Sequence, residues 1–185
     1  MPKTDVAVLV GSLRQGSFNK MMARALARLA PDTLVLSPVE MGDMPLYNED
    51  LEADPPAPWG RFRRAIAAAG ALLFVTPENN RSIPAVLKNA VDVGSRPWGK
   101  SVWNGKPAAV ISVSPGALGG FGANHHLRQS LTGVNVPVMP CPEAYIGGAA
   151  KLFDADGELV DTAAIAFATE FMREFAAWIE QQRPR

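Results

Sequence analysis

The chain has 185 residues, 48% of them hydrophobic and 19% charged, enough for one globular domain, residues 1–185, with a continuous core. Eighteen Lys and Arg residues balance eighteen Asp and Glu residues, so no net field draws the chain to nucleic acid or to an anionic membrane. The single cysteine, Cys141, excludes an intrachain disulfide, and no membrane-length apolar run or cleavable apolar leader is read, so a cytoplasmic location is expected.

Asp5 to Val10 is short, continuous and β-branched, which predicts a buried strand. A helix is expected from about Lys20, because Met22, Leu26 and Leu29 recur at helical spacing with Arg24 and Arg28 on the other side, and Pro31 closes it. Thr33 to Leu36 reads as a second strand. The segment from Val39 to Pro58, rich in proline and acidic residues, reads as a surface loop. Trp59, Phe62, Ile66 and Ala69 space a second helix that ends at Gly70, and Ala71 to Val75 is the most apolar strand and therefore central.

Pro77 stops that strand, Glu78 to Ser82 forms a polar loop, and Pro84 opens a helix whose buried face is Val86, Leu87, Ala90 and Val91. Gly94 to Lys106 is a connection carrying Trp98 and Trp103, read as packing or subunit-contact residues. Pro107 to Val113 is expected as the fourth strand, Ser114 to Gly120 as a flexible loop, Asn124 to Leu131 as a helix and Val134 to Met139 as the fifth strand. Ile165, Ala168, Phe171, Met172, Phe175, Trp178 and Ile179 form the apolar stripe of a long final helix. Five alternations of strand and helix imply an α/β fold: a flavodoxin-like three-layer sandwich, its five-stranded parallel sheet ordered 2-1-3-4-5 with helices on both faces.

In that order the C-terminal ends of strands one, three and four are neighbours, and each carries an unusual loop. The first is Gly11-Ser12-Leu13-Arg14-Gln15-Gly16-Ser17-Phe18-Asn19, between a strand and a helix, where backbone amides and the helix dipole favour a phosphate. Ser12, Ser17 and Asn19 add side-chain donors and Arg14 a positive charge. Gly11 and Gly16 have P-loop spacing, but Ser17 and Phe18 follow where Lys and Ser or Thr belong, so triphosphate hydrolysis is disfavoured. Leu13 stands where a dinucleotide fingerprint needs its second glycine, which disfavours that site too. The second and third loops can offer amides and small residues to a flat ring, with Gly116, Gly119 and Gly120 permitting close approach. No metal cluster is read, and the adjacent His125 and His126 point in different directions on a helix, which suits packing or solvation better than proton transfer.

Taken together, GSLRQGSFN, PENNRSIPAVLKNAVD and SPGALGGFGANHHLRQSL, with CPEAYIG and the final helix, resemble the NADPH-dependent FMN reductase family, which includes bacterial quinone and chromate reductases. The resemblance implies bound FMN, NADPH or NADH as electron donor, and a quinone as acceptor, with chromate, azo and nitro compounds as further candidates. It also implies a homodimer or homotetramer with FMN near a subunit interface. It places Ser12, Arg14, Ser17, Phe18 and Asn19 around the phosphate, and Pro77, Glu78, Asn79, Asn80, Ser82, Ile83 and Pro84 along the ribityl chain and ring. Ser114 and Gly116, with Gly119 and Gly120 behind them, would approach the ring from the other side. This chain has Asn79 where the family usually has an aromatic, and Val93 and Gly94 after Asp92 where it tends to have another. Two alternatives stay open at this level: a flavodoxin-type electron carrier, against which the zero net charge argues, and a non-redox binder of a phosphorylated small molecule.

Overall fold

The computed structural model describes residues 3–183, and along them strands and helices alternate. They are β1 (Thr4–Val10), α1 (Phe18–Leu29), β2 (Leu34–Pro38), α2 (Ala57–Ala68), β3 (Ala71–Thr76), α3 (Ala85–Ser95), β4 (Ala108–Val113), α4 (Phe121–Gly133), β5 (Ala144–Ile146) and α5 (Thr162–Gln181). Every strand pair is parallel and the order is β2-β1-β3-β4-β5, the expected doubly wound sheet. Every residue of β3 and β4 is buried, which explains why both read as unbroken apolar runs rather than alternating ones.

Alternation along the strands divides the core in two. Leu9, Leu72, Phe74 and Val110 face Trp59, Phe62 and Ile66 of α2, Leu87 of α3 and Leu127 of α4. Val8, Leu73, Val75 and Ile111 face Met22 and Leu26 of α1 and Phe171, Met172 and Phe175 of α5. Of the two tryptophans in the α3–β4 connection, Trp103 belongs to this core while Trp98 stands 86% exposed.

The fifth strand is displaced from its expected place. Val134–Met139 makes one parallel bridge, Val138 to Ala108, supported by Ala108 N–H to Pro137 O at 3.0 Å and Met139 N–H to Ala108 O at 2.8 Å. The ladder resumes only at β5, where Ala144, Tyr145 and Ile146 pair with Ile111, Ser112 and Val113. Pro137, Pro140 and Pro142 have no N–H, so a continuous ladder cannot run through this edge. Side chains span the gap: Arg128 donates to Met139 O and to Asn124 Oδ1, both at 2.9 Å, and Asn124 donates to Ala144 O at 3.1 Å. Helix starts are also shifted from their expected places, upstream for α1 and α4 and one residue downstream for α3. α1 begins at Phe18 because Ser17 caps it, α4 begins at Phe121, and Pro84 is the residue before α3 rather than part of its first turn.

Gly94 lets the Trp103 indole lie against α3, where it donates to Val91 O at 3.0 Å. A Cβ at Gly94 would sit 2.4 Å from ring atoms of that fully buried indole. Gly94→Ala is therefore expected to destabilise the fold by about 1–3 kcal/mol through overpacking, despite its better helix propensity. Urea unfolding of the two proteins measures this.

Candidate active site at the strand ends

Because all strands run the same way, the loops after β1, β3 and β4 emerge side by side. They enclose a cavity of about 550 Å³ whose wall includes Ser12, Arg14, Ser17, Phe18 and Asn19 from the first loop, Pro77, Glu78 and Asn79 from the second, and Ser114 from the third. Such a volume suits a small-molecule cofactor. Asn80, Ser82, Ile83, Gly116, Gly119 and Gly120, also expected at the site, lie outside this lining. The lining further contains Gly11, Leu13, Val113, Pro115 and the start of α3, at Pro84, Ala85 and Val86. Pro84 marked that helix start in the sequence; that the start opens into the cavity depends on the sheet order. Gly11 has a specific reason: a Cβ there would lie 2.7 Å from Leu87 and 2.9 Å from Pro84, so α3 could not approach the end of β1.

The end of the cavity built by the first loop carries groups suited to an anion. Ser17 Oγ accepts the amides of Asn19 and Lys20 at 3.2 and 3.4 Å, which fixes the first turn of α1. Among the described residues, the amides of Ser12 to Gly16 have no backbone acceptor. Neither α1 nor α3 carries an acidic residue in its first turn, so the positive ends of both dipoles act on the cavity unopposed from within their own helices. Arg14 folds over the loop, donating to Gly16 O at 2.7 Å, with its guanidinium 5.7 Å from the Phe18 ring centre. Asn19 also serves the fold. Its Nδ2 donates to Val113 O at 3.2 Å, and its buried Oδ1 has no partner among the described residues. That donor set, together with an unpaired acceptor, fits a ligand with a phosphate at one end and hydroxyl groups next to it.

The second loop is a tight turn. Asn79 and Ser82 exchange two backbone hydrogen bonds of 3.0 Å, and the residues between them, Asn80 and Arg81, have φ of 51° and 66°. This is a type I′ pattern made without glycine. The turn is docked on α4 by Ser82 Oγ, which lies 2.8 Å from His126 Nδ1. The other histidine, His125, has its Nε2 2.9 Å from the Tyr145 hydroxyl on β5. Each histidine thus ties α4 to a different neighbour. Gly119 and Gly120, at φ of 60° and 77°, carry the β4–α4 loop against β5, and a Cβ at Gly119 would overlap the Tyr145 carbonyl carbon at 2.5 Å.

An open parallel α/β sheet with an anion-binding loop after its first strand and a cofactor-sized cavity at the strand switch defines a flavodoxin-like binding fold. Residues 4–151 match the family model described as NADPH-dependent FMN reductase. The chain is 60% identical over 180 residues to a quinone reductase of Pseudomonas putida, covering 97% of this chain and 96% of that one. It is 46% identical over 178 residues to a 2-hydroxy-1,4-benzoquinone reductase of a Burkholderia species, covering 96% and 97% of the two. Among solved structures it is similar to FerB, a flavoenzyme NAD(P)H:(acceptor) oxidoreductase from Paracoccus denitrificans, with a TM-score of 0.92, 42% identity, and coverage of 97% and 98%. This chain belongs to the NADPH-dependent FMN reductase family.

On β5, burial first, then hydrogen bonding to Glu143 and the negative charge of that carboxylate, raise the Tyr145 hydroxyl to about 12, above the usual value near 10. A group that holds its proton more tightly when folded contributes stability that is complete below the unfolded value and lost as pH rises through the folded one. The stability of the protein should therefore decline between about pH 10 and pH 12. Urea midpoints measured across that range should fall less steeply in Tyr145→Phe than in the parent.

Proposed function

We propose that this protein binds FMN at the strand ends and uses it to pass reducing equivalents from NADPH or NADH to a quinone. The observation that carries this reading is the one cavity shared by three loops, with unpaired amides, two helix starts and Arg14 at its anionic end. FMN, when bound, supplies the redox chemistry by accepting hydride from the nicotinamide and giving electrons to the acceptor. The protein's own contribution is binding, orientation and exclusion of water.

In this reading Ser12, Arg14, Ser17, Phe18 and Asn19 surround the phosphate. Phe18, stacked on Phe153 with ring centres 6.0 Å apart, steadies that end. Pro77, Glu78, Asn79, Asn80, Ser82 and Ile83 border the ribityl chain and one edge of the ring. Ser114 and Gly116 approach from the third loop, with Gly119 and Gly120 allowing that loop to lie close to β5. No side chain is assigned as acid or base. A quinone is the favoured acceptor because two relatives carry that substrate in their names, with chromate, azo and nitro compounds as further acceptors to assay. A single FMN-binding domain acting in the cytoplasm completes the reading. A homodimer or homotetramer is supported by an exposed apolar ridge: Leu46 is 75% and Trp98 86% exposed, with Arg96 lying 5.8 Å from the Tyr47 and Trp98 ring centres.

Protein as purified should absorb in the near ultraviolet and blue, bleach with NADPH under anaerobic conditions, and oxidise NADPH steadily when a quinone is added. A colourless protein that binds no added FMN overturns the reading. Arg14→Ala should weaken FMN binding by about tenfold or more, as expected for loss of a charge-assisted contact, with little change in melting temperature. Fluorescence titration of the flavin-free protein measures it. Sedimentation of Trp98→Ala should show a smaller species than the parent; identical sedimentation removes Trp98 from the subunit contact.

A further inference from the structure

Two helices, α1 and α3, begin in the cavity wall and a third, α4, begins against Glu78 of that wall, and the three starts are not equivalent. The starts of α1 and α3 lie free of acidic neighbours in their own first turns, whereas the start of α4 is occupied by Glu78. Glu78 belongs to the β3–α3 loop, yet its Oε2 accepts the Ala123 amide of the first turn of α4 at 3.1 Å. Gly120, the residue before α4, provides no side-chain cap, and α4 has no acid in its first turn, so this carboxylate is the helix's cap delivered from another element. The other carboxylate oxygen accepts from Arg81 Nη1 at 3.2 Å, and the side chain is only 13% exposed. Arg81 is itself a non-glycine residue held at φ 66° in the turn that follows.

The glycines at the start of α4 match this arrangement. A Cβ at Gly122 would lie 2.9 Å from Glu78 Oε2 and 3.1 Å from Arg81 O. A Cβ at Gly120 would lie 3.7 Å from Glu78 Cβ. The sequence therefore opens a seat for one carboxylate between two loops, and His126 with Ser82 makes a second tie one turn further along α4. Both oxygens of Glu78 are committed to protein donors, which leaves the group poorly placed to carry a proton.

We infer that Glu78 is a positioning residue that clamps the β3–α3 turn to the start of α4 and so sets the width of the slot in which the flavin ring is held. The inference rests on the FMN reading above. It differs from that reading in assigning Glu78 an action through α4 instead of through direct contact with the ring. Breaking the clamp frees the turn of its partner and lets the two loops separate, so the cost appears first in cofactor affinity.

The test uses the full chain, stripped of flavin, with FMN as the probe. Glu78→Ala and Gly122→Ala should each weaken FMN binding by about tenfold, the effect of losing one charge-assisted hydrogen bond. Because both break the same contact, the double variant should be no weaker than the poorer single one, and the same non-additivity should appear in the melting temperatures of the flavin-free proteins. Glu78→Gln keeps an acceptor for the Ala123 amide and should regain most of the lost affinity, with turnover at saturating FMN down by less than about tenfold. Additive effects, or FMN binding by Glu78→Ala equal to the parent's, overturn the clamp. So does a Glu78→Gln protein that holds FMN normally yet loses about a hundredfold or more in turnover, the signature of proton transfer. A parent that fails to bind FMN refutes the flavin reading instead, and the melting-temperature cycle still tests the contact between Glu78 and Gly122.

Discussion

Parallel pairing is the constraint on which the rest of this molecule depends. A parallel strand can follow another only after a crossover, so every strand ends at the same edge of the sheet and every following helix begins there. Burial of the whole of β3 and β4 makes that direction hard to reverse, since both faces of each strand must be covered by helices. The site is therefore a consequence of topology before it is a consequence of any one side chain. Three loops that are far apart along the chain meet because β1, β3 and β4 are adjacent.

Helix starts are the second common element, and the molecule treats them differently. At α1 a buried serine satisfies two amides and leaves the preceding loop open to a ligand. At α3 a proline precedes the helix, and nothing on the helix's own first turn opposes the dipole. At α4 a carboxylate from the neighbouring loop is already in place. An anion is drawn toward the first two ends and away from the third. Such a division leaves one end of the cavity, at the starts of α1 and α3, richer in positive helix ends than the side facing Glu78.

The β5 edge shows how side chains can replace a ladder. Prolines remove donors over the stretch between Val136 and Glu143, and the backbone leaves the sheet after one bridge. Arg128 and Asn124 of α4 then reach the carbonyls of Met139 and Ala144 on either side of the break. Their position couples the edge of the sheet to the same helix that carries His125 and His126 and receives Glu78. Burial lowers the pKa of the Arg128 guanidinium from its ordinary value, and among the described residues its Nη2 has no hydrogen-bond partner.

The sequence by itself determined the alternation of elements, the sheet class and order, and the three loops that carry the site. It did so because buried parallel strands are short apolar runs and because Gly, Pro, Ser and Asn have strong local preferences. It also pointed to the first loop as an anion site, since Ser17 and the residues before it are local to one strand-to-helix turn. Tertiary structure alone decided what depends on distant partners. Asn19 donates to Val113 O, α3 opens into the cavity because Gly11 admits it, and Glu78 accepts the Ala123 amide 45 residues away in sequence. The fifth strand lies beyond its prolines, where Ala144, Tyr145 and Ile146 pair with Ile111, Ser112 and Val113, a register that only the tertiary structure reveals. Local preference is written in neighbouring residues; which orphaned group meets which is fixed only when the sheet brings them together.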